Sequence, residues 1–400
     1  GCGNGRLTAA LRASERYVVH GLANEPDRVA EARRHMRSLG LYGPVSAEAW
    51  GAKVLPYADF SVNLIVAENP TLATKSEIER VLVPLGVAYI KSEDGWEQMT
   101  KPARAGVDEW SHFLHDASGN PVAHDEVVGP PRHLQWTAGP RHSRSHEFTP
   151  SINAVVSSGG RLFYIADQGP IATLRKPAEW KLMARDAHNG LFLWERPISQ
   201  WFSHLYGWTQ GPRQLQRKLV AVGDRVFVTL GYHAPLITLD AATGATLKTF
   251  ANTEGTEEIL YHDGILLIVI RKVTEDRLAA YKKWEELTAQ SDSPVHLCDT
   301  RTPWISSFRS AENSANRKIV ALDPESGEKL WSLEGEQCAG LKALSLRAVG
   351  KRVFCEKREG LHCLDLNTGA TLWAKRTSPL RALTEDAVVC VNRDKITLLD

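Results

Sequence analysis

Six of the chain's 14 histidines fall within 35 residues, at 112, 115, 124, 133, 142 and 146. Imidazole is a common transition-metal ligand, and a spacing of four places His142 and His146 on one face of a helix, which makes them candidate metal ligands. Pro140 and Pro150 argue instead for extended chain, in which those two side chains diverge. The alternative is a set of polar loops, with Arg132, Arg141 and Arg144 lining the end of a channel. A second cluster, Trp201, His204, Tyr206 and Trp208, can line a small-molecule or sugar surface or simply pack a sheet edge. Six cysteines without a CxxC pair are too sparse for a disulfide scaffold, so buried free thiols are expected. Cys355 and Cys363 flank a hairpin turn and can face each other across it.

Composition bounds what these groups can serve. Four hundred residues exceed the usual single-domain range, so two or three domains are expected. Lys and Arg number 48 against 47 Asp and Glu, a net charge of +1, which gives no general attraction for nucleic acid or an anionic membrane. The longest apolar run, 264–270, is about a third of the roughly 20 residues a membrane-spanning helix needs. The chain opens at Gly1 inside a glycine-rich motif and stops at Asp400 inside a repeat, so it is expected to be cut at both ends, leaving open whether a signal peptide lay upstream.

The elements that position these residues fall into two textures. Over the first hundred residues, helix-like and strand-like stretches alternate as in βαβ units: helix 5–13, strand 17–22, helix 26–39 opened by Pro26, strand 62–67, helix 75–82 and strand 87–91. From about Asp108 the strands are short and separated by turn signals. One phrase recurs there: Asp186 to Gly190 and Trp194, Asp240 to Gly244, Asp323 to Gly327 and Trp331, Asp365 to Gly369 and Trp373, with a fifth copy starting at Asp400. These aspartates are 54, 83, 42 and 35 residues apart, and a period near 40 built from short strands is the signature of propeller blades. Each Asp can accept backbone N–H bonds within its turn, while the Gly supplies positive φ. Trp follows Asp by eight residues in three copies, where it can fill a seam between sheets; Lys248 holds that place in the second. The long gap carries an insertion at 271–318, with a charged surface helix expected over Thr274–Gln290.

The run Gly1-Cys-Gly3-Asn-Gly5 resembles the glycine-rich loop of class I S-adenosylmethionine-dependent methyltransferases, in which backbone approaches the cofactor at a helix start. Residues 55–66 are similar to that family's strand-four region and 81–90 to its turn into strand five. The resemblance implies an α/β Rossmann-like methyltransferase fold over 1–93, truncated at its N terminus, with Gly1, Gly3 and Gly5 against the cofactor. The acid expected to hold the ribose hydroxyls is replaced by Ala23, so Asn24 or Glu25 would have to substitute. Acids are also missing near Gly51 and at Asn63. Each lost charge-assisted bond removes roughly 1.5 to 3 kcal/mol, which implies a degenerate domain with weakened S-adenosylmethionine binding. Glu93 to Val107 leaves no room for the family's last two strands.

The phrases Ala184 to Trp194 and Ala321 to Trp331 resemble the tryptophan-docking motif of quinoprotein-type, pyrroloquinoline-quinone-like (PQQ-like) β-propellers. This implies an all-β propeller over 131–400, of roughly seven or eight blades when complete, of which about five are visible. Residues 94–130 would be a linker and lead-in segment, and Leu134–Thr137 the outer strand that closes the ring. Such repeats occur both in quinone-dependent dehydrogenases and in cofactor-free scaffolds such as an outer-membrane assembly lipoprotein. The dehydrogenases resembled use a vicinal Cys-Cys ring and a channel calcium site; no adjacent cysteines occur here, so PQQ and calcium are not expected on the visible residues. The expected function is a binding scaffold with a protein partner or small ligand at the channel and loops, leaning to the periplasm or cell envelope. An active methyltransferase using the propeller as a platform, and a PQQ-dependent dehydrogenase, are the alternatives.

Overall fold

The Gly5 backbone sets the start of the chain, because its φ of +82° lies in the left-handed region and an added Cβ would meet Ala32 Cα at 2.8 Å. A side chain there would push helix α1 (Arg6–Ala10) off helix α2 (Pro26–Ser38). The computed structural model describes residues 2–68, 73–139, 152–170, 179–199, 215–276, 278–279, 282–283, 286, 316–393 and 395–399. The chain divides into two compact units, one of residues 1–107, 126–137 and 186–192, the other of 108–125, 138–185 and 193–400.

In the first unit, α2 opens on Pro26 and buries Val29, Ala32 and Met36 along one face. That face packs on the parallel pair β1 (Val19–Ala23) and β2 (Val45–Ala49). Next come β3 (Val62–Ala67), helix α3 (Lys75–Val81) and β4 (Leu82–Ser92), a β-α-β unit in which β3 and β4 run parallel. Thr74 caps α3 by accepting the Glu77 N–H at 3.3 Å. The space read as too short for two further strands holds one, β5 (Gly95–Thr100), an antiparallel partner of β4. Its side chains are mostly exposed, so its sequence lacks the alternation that marks a half-buried strand. Among the described residues the unit forms two separate sheets, β1-β2 and β3-β4-β5, rather than one continuous doubly wound sheet.

From Ile152 onward the described chain forms sheets of one design. The first sheet runs β6 (Ile152–Ser158), β7 (Arg161–Asp167), β8 (Trp180–Asp186), β9 (Phe192–Pro197). The second runs β10 (Leu219–Val222), β11 (Arg225–Thr229), β12 (Leu236–Asp240), β13 (Thr246–Thr249). The third contains β14 (Thr256–His262), β15 (Ile265–Arg271), β16 (Arg317–Leu322) and β17 (Lys329–Leu333). The fourth contains β18 (Arg347–Val349), β19 (Arg352–Lys357), β20 (Gly360–Asp365) and β21 (Thr371–Lys375). The fifth is described as β22 (Leu380–Leu383), β23 (Val388–Asn392) and β24 (Lys395–Leu399). Strands are hydrogen-bonded in chain order, and the apolar cores lie between successive sheets: first on second, second on third, third on fourth, fourth on fifth. Face-to-face packing of consecutive meanders is propeller construction.

The Asp-to-Gly phrase makes the same corner each time, between the third and fourth strands. Asp186, Asp240, Asp323 and Asp365 each accept N–H bonds within their turn through Oδ1, from Asn189 at 3.0 Å, Thr243 at 2.7 Å, Ser326 at 2.6 Å and Thr368 at 2.9 Å. Hydroxyls of Thr243, Ser326 and Thr368 add a second donor. These donors hold the Asp240, Asp323 and Asp365 carboxyls below their usual range. Gly190, Gly244, Gly327 and Gly369 close the corners with φ between +72° and +74°.

The tryptophans fill the seams as expected. Trp194 Nε1–H donates to Ala241 O at 3.0 Å and its ring covers Gly244; Trp331 donates to Leu366 O at 2.9 Å and covers Gly369. Lys248 takes the equivalent place over Gly327, its Nζ donating to Glu325 O at 3.1 Å. Leu134–Thr137 is not a strand, contrary to expectation. Within the first unit, Trp136 alone does the docking, donating to Ala187 O at 2.9 Å with its ring against Gly190. Of the described positions of the expected insertion helix, 275–276, 278–279, 282–283 and 286 are helical and Thr274 is not.

Candidate functional site

The first strand of each sheet in the second unit is an edge strand, and its inner N–H groups need acceptors that the sheet cannot supply. One segment, 110–120, supplies an acceptor to the first strand of each of the five sheets. Trp110 O accepts from Ser157 N of β6 at 2.7 Å, and Ser111 O accepts from Ala221 N of β10 at 3.0 Å. His112 Nε2 accepts from Tyr261 N of β14 at 3.0 Å, and Ala117 O from Ala348 N of β18 at 2.8 Å. Asn120 pairs with both backbone groups of Leu383 in β22, accepting at 3.0 Å and donating at 2.5 Å. Ser157, Ala221, Tyr261 and Ala348 occupy the same, penultimate position of their strands. The segment therefore passes along the inner edges of five successive sheets, where a propeller has its channel.

His112 is fixed in one tautomer by this role. Its Nε2 accepts the Tyr261 amide, so the proton sits on Nδ1, which lies 2.7 Å from Ser111 Oγ; that hydroxyl in turn donates to His115 O at 3.3 Å. Burial pushes the imidazole down to about 3, so it stays neutral. Close by, Glu258 of β14 accepts from Leu346 N at 3.2 Å and lies 3.5 Å from Arg217. Its complete burial outweighs the arginine and lifts the carboxyl to about 7.

Next to the segment, Asp108, His115 and His124 converge, each offering one ligand atom within 4.8 Å of the others. Asp108 Oδ2 lies 2.6 Å from His115 Nε2 and accepts the His124 backbone N–H at 2.6 Å. The His115 and His124 rings meet edge to face with centroids 4.9 Å apart. Three groups of this kind are the ones able to hold a metal among the described residues. The histidine-rich stretch thus brings together 115 and 124, whereas the proposed pair His142 and His146 lies outside the described residues, as do Arg141, Arg144, Trp201, His204, Tyr206, Trp208 and Cys298. Asp108 carried no such signal, because the Asp108–His115–His124 spacing puts the three on no common face of a helix or strand.

In the first unit the described part of the glycine loop packs against β1. Cys2 N donates to Leu22 O at 2.8 Å, which sets Gly3 beside the carboxyl end of β1, where Asn24 and Glu25 follow, both exposed. The Glu25 carboxylate lies 3.5 Å from Arg28. Gly1 lies outside the described residues. Asn63, at the position of a missing acid, donates to Asp186 Oδ2 at 2.6 Å and accepts from Asn189 Nδ2 at 2.7 Å. A carboxylate there would face Asp186 directly.

The cysteine bridge does not form. Across the β19–β20 hairpin Cys355 lies opposite His362 and Cys363 opposite Phe354, one register apart and so on opposite faces. Cys2, Cys338, Cys355, Cys363 and Cys390 are all free and buried, and burial pushes the Cys355 thiol up to about 12 and Cys363 to about 11.

Repeated four-stranded meanders, their corners and their docked tryptophans are the construction of a β-propeller. Residues 206–389 match the family described as outer membrane protein assembly factor BamB. No curated protein matches the chain. Among solved structures, quinohemoprotein alcohol dehydrogenase from Comamonas testosteroni is 13% identical over 69% of this chain and 42% of its own, with a TM-score of 0.38. Europium-containing methanol dehydrogenase is 10% identical over 73% of this chain and 54% of its own, TM-score 0.36. The [4+2]-cyclase SpnF is 26% identical over 23% of this chain and 38% of its own, TM-score 0.21. The chain thus spans between 38% and 54% of the length of these structures. Among the described residues no helix is long and apolar enough to cross a membrane.

Proposed function

We propose that this chain is a binding scaffold of the cell envelope, in which a PQQ-like propeller presents its loops and sheet ends to a protein partner or small ligand. The observation that carries this reading is the segment 110–120, which uses the channel edge of five sheets for the chain's own backbone bonds. Inner edges bonded this way point to the outer loops as the working surface and support a scaffold over a PQQ- and calcium-dependent dehydrogenase. The envelope assignment rests on the matched family, whose description concerns outer membrane protein assembly. A net charge of +1 supports no role in binding nucleic acid.

The α/β unit we infer to be a degenerate methyltransferase-like domain. Gly5 is accounted for by packing against Ala32, and Asn63 by its bonds to Asp186 and Asn189, so both motif positions have structural work. The second reading, an active S-adenosylmethionine-dependent methyltransferase, is favoured by one feature: the Cys2 N–H bonds Leu22 O, which brings Gly3 to the end of β1 that Asn24 and Glu25 follow. Calorimetric titration of the full chain with S-adenosylmethionine separates the two. The scaffold reading predicts no heat of binding at micromolar cofactor; saturable micromolar binding, lost in Glu25→Ala, overturns it. A parallel titration with PQQ and calcium is expected to be silent, and dye reduction in its presence would establish the dehydrogenase.

A further inference from the structure

We propose that Asp108, His115 and His124 form a binding site for a divalent transition-metal ion, with Zn2+ as its first occupant. Two imidazoles and one carboxylate are a nitrogen-rich donor set that suits zinc, iron, cobalt or nickel, whereas calcium and magnesium take oxygen. A tetrahedral ion with ligands at about 2.0–2.1 Å holds their donor atoms roughly 3.3 Å apart. Here Asp108 Oδ2 and His115 Nε2 are 2.6 Å apart, and no pair of donor atoms in the group exceeds 4.8 Å. Closing the group on an ion needs a shift of about 1.5 Å for the widest pair, within the reach of the exposed His124 side chain.

The surroundings are arranged as an outer shell would be. His115 Nδ1 lies 3.5 Å from Asp116 Oδ2, the carboxylate that can orient the ring and leave Nε2 free for an ion. The other oxygen of Asp108 accepts the Glu109 N–H at 2.7 Å, and the Asp108 N–H donates to Asp125 Oδ1 at 2.7 Å, which fixes the carboxylate. His115 holds a φ of +70° although it is not glycine, and the residue is 3% exposed. A buried residue kept in the left-handed region signals that its surroundings, not its own preference, set its direction. His124 faces solvent, so an ion has a path in and a fourth position for water. An ion there would tie residues 108 and 124 to the middle of the channel segment.

The test uses the full chain, stripped with a chelator and dialysed. Zn2+ is titrated by calorimetry, Co2+ by its visible absorption, and thermal unfolding is recorded with and without Zn2+. One ion per chain at micromolar affinity or tighter is expected, with a zinc-dependent rise in unfolding temperature. His124→Ala, at an exposed position, is expected to unfold at the parent temperature in chelator while losing at least tenfold in affinity and the zinc-dependent rise. Asp108→Asn is the second variant, with the same loss. The double variant His142→Ala/His146→Ala should bind as the parent does. No binding by the parent at micromolar ion, binding unchanged in both His124→Ala and Asp108→Asn, or binding abolished only in the His142/His146 double variant would each overturn the site.

Discussion

Gly244 and Gly327 occupy the same corner of neighbouring sheets, with φ of +72° and +74°, yet different side chains lie over them. Substituting alanine at Gly327 carries the cost of the left-handed conformation, roughly 1 to 2 kcal/mol. Its new Cβ would come 2.5 Å from Lys248 Cε, the far end of a flexible side chain that can swing away. At Gly244 the Cβ would come 2.6 Å from Trp194 Cδ2, part of a rigid indole that is 3% exposed and bonded to Ala241 O at 3.0 Å. Displacing that ring adds the lost hydrogen bond, about 1 to 3 kcal/mol if its buried N–H is orphaned, and part of its apolar burial. Gly244→Ala should therefore cost about 3 to 5 kcal/mol against 1 to 2 for Gly327→Ala. Urea unfolding followed by tryptophan fluorescence, with free energies compared at equal m-values, measures the difference. Equal losses in the two variants would refute the claim that the docked indole, and not the corner alone, sets the cost.

His112→Ala should destabilise by about 1 to 3 kcal/mol in the same unfolding assay, because the Tyr261 N–H loses its acceptor; His112→Gln, which can still accept, should recover part of that. Glu258 holds its proton to about pH 7 in the native chain but releases it near the ordinary carboxyl value when unfolded, so the native state binds more protons between those limits and stability falls as pH rises through them. Glu258→Gln should flatten that slope, about 1.4 kcal/mol per pH unit at most, and unfolding midpoints at pH 5 and 7.5 that differ as in the parent would count against it. Asn63→Asp places a carboxylate against Asp186 and should cost about 1 to 2 kcal/mol at neutral pH, with the deficit shrinking at pH 4; a loss independent of pH would remove like-charge repulsion as the reason for asparagine there.

The corners were legible because their chemistry is local: Asp240 and Thr243, or Asp365 and Thr368, bond within three residues of each other. The seam tryptophans were legible too, since a fixed offset from the Asp puts them on the outer strand facing the next corner. The channel segment was not, and residues 108–120 read only as a lead-in. Its acceptors meet donors 47 to 263 residues away, so no local period records the pairing. The same reason hid Asp108, whose role depends on a loop folding His115 and His124 back on it. β5 escaped because an exposed edge hairpin such as Gly95–Thr100 has no buried face to pattern. Asn63 read as a lost ligand acid because its bond to Asp186 spans 123 residues.

Residues 110–120 bond the inner edges of five sheets. Hydrogen–deuterium exchange resolved to the peptides carrying Ser157, Ala221, Tyr261, Ala348 and Leu383 tests it most directly, comparing the parent with a chain whose residues 111–120 are replaced by a Gly/Ser linker of equal length. Slow exchange at all five amides is expected in the parent, with a joint loss of protection in the replacement. Fast exchange at these amides in the parent, or protection that survives the replacement, would contradict it.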